Sequence, residues 1–190
     1  AGDTTDGTRL ETVDDQRDAI DALCDACEYA ALRFLELAPV DIVAIESNHD
    51  RLSTFWLGKV LEAYFHRTPD VTVDASRAPN KYYVYGQTLI GLQHGDKIKP
   101  DALAVLMATE APDAWARTRY RQWLRGHIHY AAGMYYPSTE THGVSVRVIP
   151  ALCPPDQYHL LRGYVGGHRA AEALYYHREH GPAGTFPVFV

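Results

Sequence analysis

Ten histidines run through this chain of 190 residues, and three of the segments that hold them set imidazole beside amide or carboxylate oxygen: Ser47-Asn48-His49-Asp50-Arg51, Gln93-His94-Gly95-Asp96 and Gly126-His127-Ile128-His129. Nitrogen and oxygen donors of this kind suit Mn, Fe, Zn or Ni. His127 and His129 stand two residues apart, so in extended chain both rings project to one side and can serve neighbouring ions, whereas on a helix they would not share a face. A single histidine is more often hydrogen-bonded or at the surface than a ligand. His66, His142, His159, His168, His177 and His180 are read in that way. The three segments differ from them because each follows a regular element and contains a small or turn-forming residue.

Those elements are legible in the hydrophobic pattern. From Val13 to Ala38, Ile20, Leu23, Cys27, Ala31, Phe34 and Leu35 recur at helical steps until Pro39 stops them. The β-branched run from Val40 to Ile45 predicts a buried strand that empties into Asn48-His49-Asp50. A second helix is expected from Leu52 to Phe65, then a strand from Val71 to Val73. Lys81 to Tyr85 and Thr88 to Gln93 flank Gly86-Gln87 as a hairpin whose second arm delivers His94. Two helices opened by proline, Pro100 to Ala108 and Pro112 to Leu124, are expected to lead into Gly126-His127. Alternating Val144, Val146 and Val148 predict a strand, His168 to Glu179 a short helix, and Thr185 to Val190 a closing strand. The expected class is mixed α/β in one domain over residues 1 to 190, with its polar clusters at strand ends, where such sheets bind ligands.

Composition narrows the function. A net charge of -6 opposes sequence-blind binding to nucleic acid, which depends on many basic side chains. No apolar run approaches the roughly 20 residues that cross a bilayer, and the first residues lack the pattern of a signal peptide, so no membrane partner and a cytoplasmic location are expected. Cys24-Asp25-Ala26-Cys27 has the C-x-x-C spacing but falls inside a helical pattern with no second pair, and Cys153 stands alone; buried helix cysteines are expected for the first two.

Asn-His-Asp after a strand, then His-Gly-Asp, then Gly-His-x-His resembles the last three signature motifs of the calcineurin-like metallophosphoesterases, and the stretches between them are similar to the phage- and prophage-borne members. The resemblance implies the carboxy-terminal part of a four-layer α/β/β/α sandwich. It also implies hydrolysis of a phosphoester by two divalent metals, Mn foremost and otherwise Fe, Zn or Ni, which clamp the phosphate for in-line attack. Carried over, Asn48, His94 and His127 resemble ligands of one metal and His129 a ligand of the other. His49 resembles the proton donor to the leaving oxygen, oriented by Asp50, and Arg51 is a candidate for a phosphate oxygen or a structural ion pair.

Two departures qualify the match. Ser47 stands where the family has glycine, and no Asp-x-His precedes Asn48. Gly2-Asp3-Thr4-Thr5-Asp6 spells the family's second motif without a strand before it, which leaves Asp3 either as the bridging ligand or as part of a loop beyond that motif. The first strands and their ligands are therefore expected upstream or on a companion chain, and association of copies is a further expectation. The substrate is a phosphodiester, nucleotide or nucleic acid in this view; Tyr82, Tyr83, Tyr85, Tyr120, Trp123, Tyr130, Tyr135 and Tyr136 could stack bases or populate two faces of strands. Lys97, Lys99, Arg117, Arg119, Arg121 and Arg125 gather near the motifs in sequence and keep a nuclease among the options. The competing function is a non-catalytic binding or assembly module that keeps the fold's second half.

Overall fold

The computed structural model describes residues 16–48, 50–127, 139–152, 161, 167 and 169–190. They fall into two compact units, divided between Pro79 and Asn80. In the first, α1 (Gln16–Leu35) leads to β1 (Val40–Val43), α2 (Arg51–Phe65) and β2 (Val71–Asp74). The two strands pair in parallel, Val40 opposite Val71 and Val43 opposite Asp74, so α2 is the crossover of a βαβ unit. Val40, Ile42, Val71 and Val73 turn one sheet face to Ala31 of α1 and to Leu61 and Phe65 of α2. Cys27 packs against the same cluster, and Cys24 and Cys27 are both half-buried free thiols, with burial the leading cause that raises each above its ordinary value. The predicted helices and strands of this unit are all present, within a few residues of their expected bounds.

The second unit is built on a five-stranded sheet in the order β3 (Asn80–Tyr85), β4 (Thr88–Gln93), β5 (Tyr120–Arg125), β7 (Val144–Val148), β6 (Thr139–Thr141). β3 and β4 form the expected hairpin; β4, β5 and β7 run parallel, and β6 closes the edge antiparallel. Parallel neighbours need a long crossover. Between β4 and β5 it consists of a 3-10 turn (Pro100–Ala102), α3 (Leu103–Glu110) and α4 (Pro112–Arg117). Leu103, Ala104 and Met107 of these helices bury the sheet face that carries Leu89, Trp123, Val144 and Val146. Trp123 is fully buried, donates its indole N–H to the Leu103 carbonyl at 3.0 Å and meets the Tyr82 ring edge-on at 5.4 Å. Tyr83 and Tyr85 point away from this core and are exposed, so the tyrosines of β3 do populate two faces of one strand.

Two expectations fail here. The helix foreseen from Pro112 to Leu124 stops at Arg117, and Tyr120–Arg125 is the central strand, bonded on both edges. The Thr118 hydroxyl takes the Ala114 carbonyl at 2.7 Å at the helix end, and its backbone turns extended. The helix foreseen from His168 to Glu179 is instead β8 (Ala170–His177), paired antiparallel with β9 (Gly181–Phe189). The β8 strand of this hairpin packs against the second face of the five-stranded sheet. Arg147 of β7 grips Glu172 of β8, whose side chain is fully buried, through two hydrogen bonds of 2.7 and 2.8 Å, and the Tyr176 hydroxyl donates to Gln122 at 2.5 Å. The turn of the hairpin is held by His177, whose Nδ1 accepts the N–H groups of Glu179 and His180, and the Arg178 carbonyl accepts the N–H of Gln87 at 2.8 Å. The second unit is thus layered α/β/β. No helix among the described residues is long and apolar enough to cross a membrane.

Candidate functional site

In the second unit the chain delivers two of the singled-out histidines to one place. His94 follows the last residue of β4 and His127 lies two residues beyond β5, and Gln93 and Arg125 are register partners on these adjacent parallel strands. Both rings therefore emerge at the carboxyl end of the sheet, the usual place for a ligand crevice in parallel α/β structure. His94 Nε2 lies 3.1 Å from His127 Nδ1, with the ring planes at 73° and centroids 4.9 Å apart. Two imidazole nitrogens on one ion, at metal–nitrogen distances of about 2.0–2.1 Å and ligand angles between square and tetrahedral, would be about 2.8–3.4 Å apart. The spacing fits a shared metal, and equally fits one ring donating its N–H to the other.

The backbone around the pair is unusual and tightly tied. His127 has φ 67° and Gly95 φ 108°, conformations that side chains disfavour and that re-aim the chain at the ends of two strands. The Gly126 N–H donates to the His94 carbonyl at 2.9 Å, joining the two segments directly. Arg125, 5% exposed, donates from its guanidinium to the carbonyls of Gly95 at 2.7 Å and Ile98 at 2.6 Å. Burial lowers the pKa of Arg125, and the charge of Asp96 partly offsets it.

The Asn48 segment belongs to the first unit, in the loop from β1 to α2. Asn48 is exposed, and Arg51 is exposed as the first residue of α2. Asp50 is buried at the N-cap position. Its carboxylate accepts the Ser47 N–H at 2.9 Å and the Ser47 hydroxyl at 2.5 Å, while the Ser47 hydroxyl oxygen accepts the Asp50 N–H at 3.2 Å. Ser47 has no positive φ, so serine in place of glycine suits this turn and supplies its cross-link. His49, His129 and Asp3 lie outside the described residues, as do Tyr130, Tyr135 and Tyr136. Among the described residues no group of three or more His, Cys, Asp or Glu side chains is gathered to hold a metal.

Of the basic residues near the motifs, two are structural. Arg121 stacks on the Trp115 ring at 4.0 Å and donates to the carbonyls of Trp115 and Thr118, both at 2.9 Å. Arg125 is the clamp described above. From the sequence both were grouped with the basic residues that keep a nuclease possible, and the clamp was missed because the segment before Gly126 was read as helix. No family model, curated protein or solved structure compared with the chain matches it.

Proposed function

We propose that the chain is the carboxy-terminal part of a metal-dependent phosphoester hydrolase of the calcineurin-like type, a phosphodiesterase or nuclease that works in the cytoplasm. The observation that carries the proposal is the meeting of His94 and His127, 3.1 Å apart at the carboxyl ends of β4 and β5. These are the residues that the sequence motifs assign to one metal, and they come from segments far apart in the chain. The α/β/β layering of the second unit also agrees with three layers of the four-layer sandwich.

In this reading His94 and His127 would hold one divalent ion, Mn foremost and otherwise Fe, Zn or Ni; the resemblance assigns Asn48 to the same ion and His129 to the second, and offers Asp3 as the bridge. When bound, such ions neutralise phosphoryl charge and lower the pKa of water. His49 gives its proton to the leaving oxygen. Asp50 is its orienting partner in the motif, and the Asp50 carboxylate is engaged by the N–H and the hydroxyl of Ser47. Arg51, exposed at the first turn of α2, is the candidate for a phosphate oxygen. The carboxylate-bearing strands are supplied by a preceding segment, a companion chain or a second copy.

The test is hydrolysis of bis-para-nitrophenyl phosphate with added Mn by the parent chain and by the His49→Ala and His94→Ala variants. Loss of a proton donor is expected to lower kcat about 10²–10⁴-fold, and loss of His94 to remove both turnover and tight metal binding. Turnover unchanged in His94→Ala would refute the proposal, and a parent chain that neither turns over nor binds Mn through His94 would favour the non-catalytic binding module.

A further inference from the structure

The meeting of His94 and His127 needs a cause, because they sit on separate loops and each loop leaves its strand through a left-handed residue. The Gly126 N–H to the His94 carbonyl is one tie. The other is a side chain. Arg125 is the last residue of β5, two positions before His127, and its guanidinium ends on the carbonyls of Gly95 and Ile98, within the loop that begins at His94. One residue thus belongs by its backbone to the strand that delivers one ring and by its side chain to the loop that carries the other. Both bonds come from one terminal nitrogen, Nη2, and a lysine ammonium, on a shorter and more flexible stem, ends short of that position. Burying a guanidinium is costly, so its retention at 5% exposure calls for a compensating role. Its backbone is fixed as well, since its carbonyl accepts the Ile149 N–H at 2.6 Å just past β7.

We propose that Arg125 is the positioning residue of the histidine pair, setting the separation of the His94 and His127 rings by holding the loop of one to the strand of the other. Its consequence for metal affinity rests on the phosphoesterase reading given above; its consequence for ring geometry does not.

Two readouts on the full chain separate these. In metal-free protein, imidazole ¹⁵N and ¹H signals of His94 and His127 report their mutual contact; in Co²⁺ titrations, absorption reports affinity. Arg125→Lys is expected to fold, to shift both imidazole signals and to weaken Co²⁺ binding about tenfold or more, the usual effect of losing an outer partner of metal ligands. Arg121→Lys is the control: it lies on the same strand and sheet face but grips Trp115 and Thr118 at the other end, so it should lower thermal stability and leave both readouts unmoved. If Arg125→Lys does not fold, Gly95→Ala disturbs the clamp from the loop side, since a Cβ there would lie 3.1 Å from Arg125 Nε on a residue at φ +108°. Imidazole signals unmoved by the folded clamp variant, or moved as much by Arg121→Lys, overturn the proposal. A parent chain that binds no Co²⁺ sinks the metal-centre reading instead, and the imidazole signals then decide the role of Arg125 alone.

Discussion

Truncating Glu172 to alanine would remove the carboxylate from a pair in which the glutamate side chain is fully buried and that of Arg147 is 16% exposed. Both bonds run between β7 and β8, so the pair is a rivet between the five-stranded sheet and the hairpin whose β8 strand packs against it. Breaking a buried pair from one side leaves the other charge desolvated, at a cost of about 3–5 kcal/mol. That is a large share of the 5–15 kcal/mol that separates most domains from their unfolded state. With a urea m-value of about 2 kcal/mol/M, the unfolding midpoint should fall by about 1.5–2.5 M. Fluorescence in a Trp56→Phe background reports the second unit alone, because Trp115 and Trp123 both belong to it. The double variant Arg147→Met/Glu172→Leu exchanges both charges for apolar groups and should return to within about 1 kcal/mol of the parent. A cost below about 1 kcal/mol for Glu172→Ala, the range of exposed pairs, or single costs that simply add in the double variant, would refute the argument.

Two further outcomes follow from the same unit. Gly91→Ala would place a Cβ 2.6 Å from the Trp123 ring and 2.8 Å from Met107 Cε, in the most tightly filled part of the core. Overpacking of this kind should cost about 1–3 kcal/mol in urea titration, and an unchanged midpoint would show the core to be looser than described. The Tyr176 phenol, pushed up to about 12 by burial against the opposing charge of Arg147, is kept neutral by the fold. The stability it contributes is complete below the ordinary phenol value of about 10 and is lost as pH rises from there to about 12. Tyr176→Phe should flatten the stability profile in that window, measured by denaturant titration from pH 9 to 12, and parallel profiles would contradict it.

The first unit was open to sequence reading because its strands are β-branched and its helices carry apolar residues at helical spacing, so local preference and final structure agree. The two strands that were mistaken for helix fail for reasons of tertiary context. Ala170, Ala171, Glu172, Ala173 and Leu174 are good helix formers, yet cross-strand partners on β9 and the rivet to Arg147 outweigh a preference of a few tenths of a kcal/mol per residue. In Tyr120–Arg125 the charged residues resemble the polar face of a helix continuing from Trp115. Here Arg125 is buried and Arg121 half-buried, with their guanidinium groups spent on backbone carbonyls and an aromatic ring. In the candidate site, the strand that delivers His127 was read as helix, while the meeting of His94 with His127 and the strand end that carries His94 were legible. Its supports were not, since the uses of Ser47 and Arg125 depend on what lies opposite them.

The bond from the Gln87 N–H to the Arg178 carbonyl has a kinetic meaning. It closes a loop across most of the second unit, joining its first hairpin to its last. Contacts so distant in sequence are made late and slow folding, because chain entropy is surrendered before they contribute. During synthesis the face of the central sheet that β8 packs against would stay open until the final strands leave the ribosome. The first unit, whose strands are joined through one adjacent helix, can complete its sheet well before then. Growth temperature and chaperone supply should therefore govern the yield of the second unit more than that of the first.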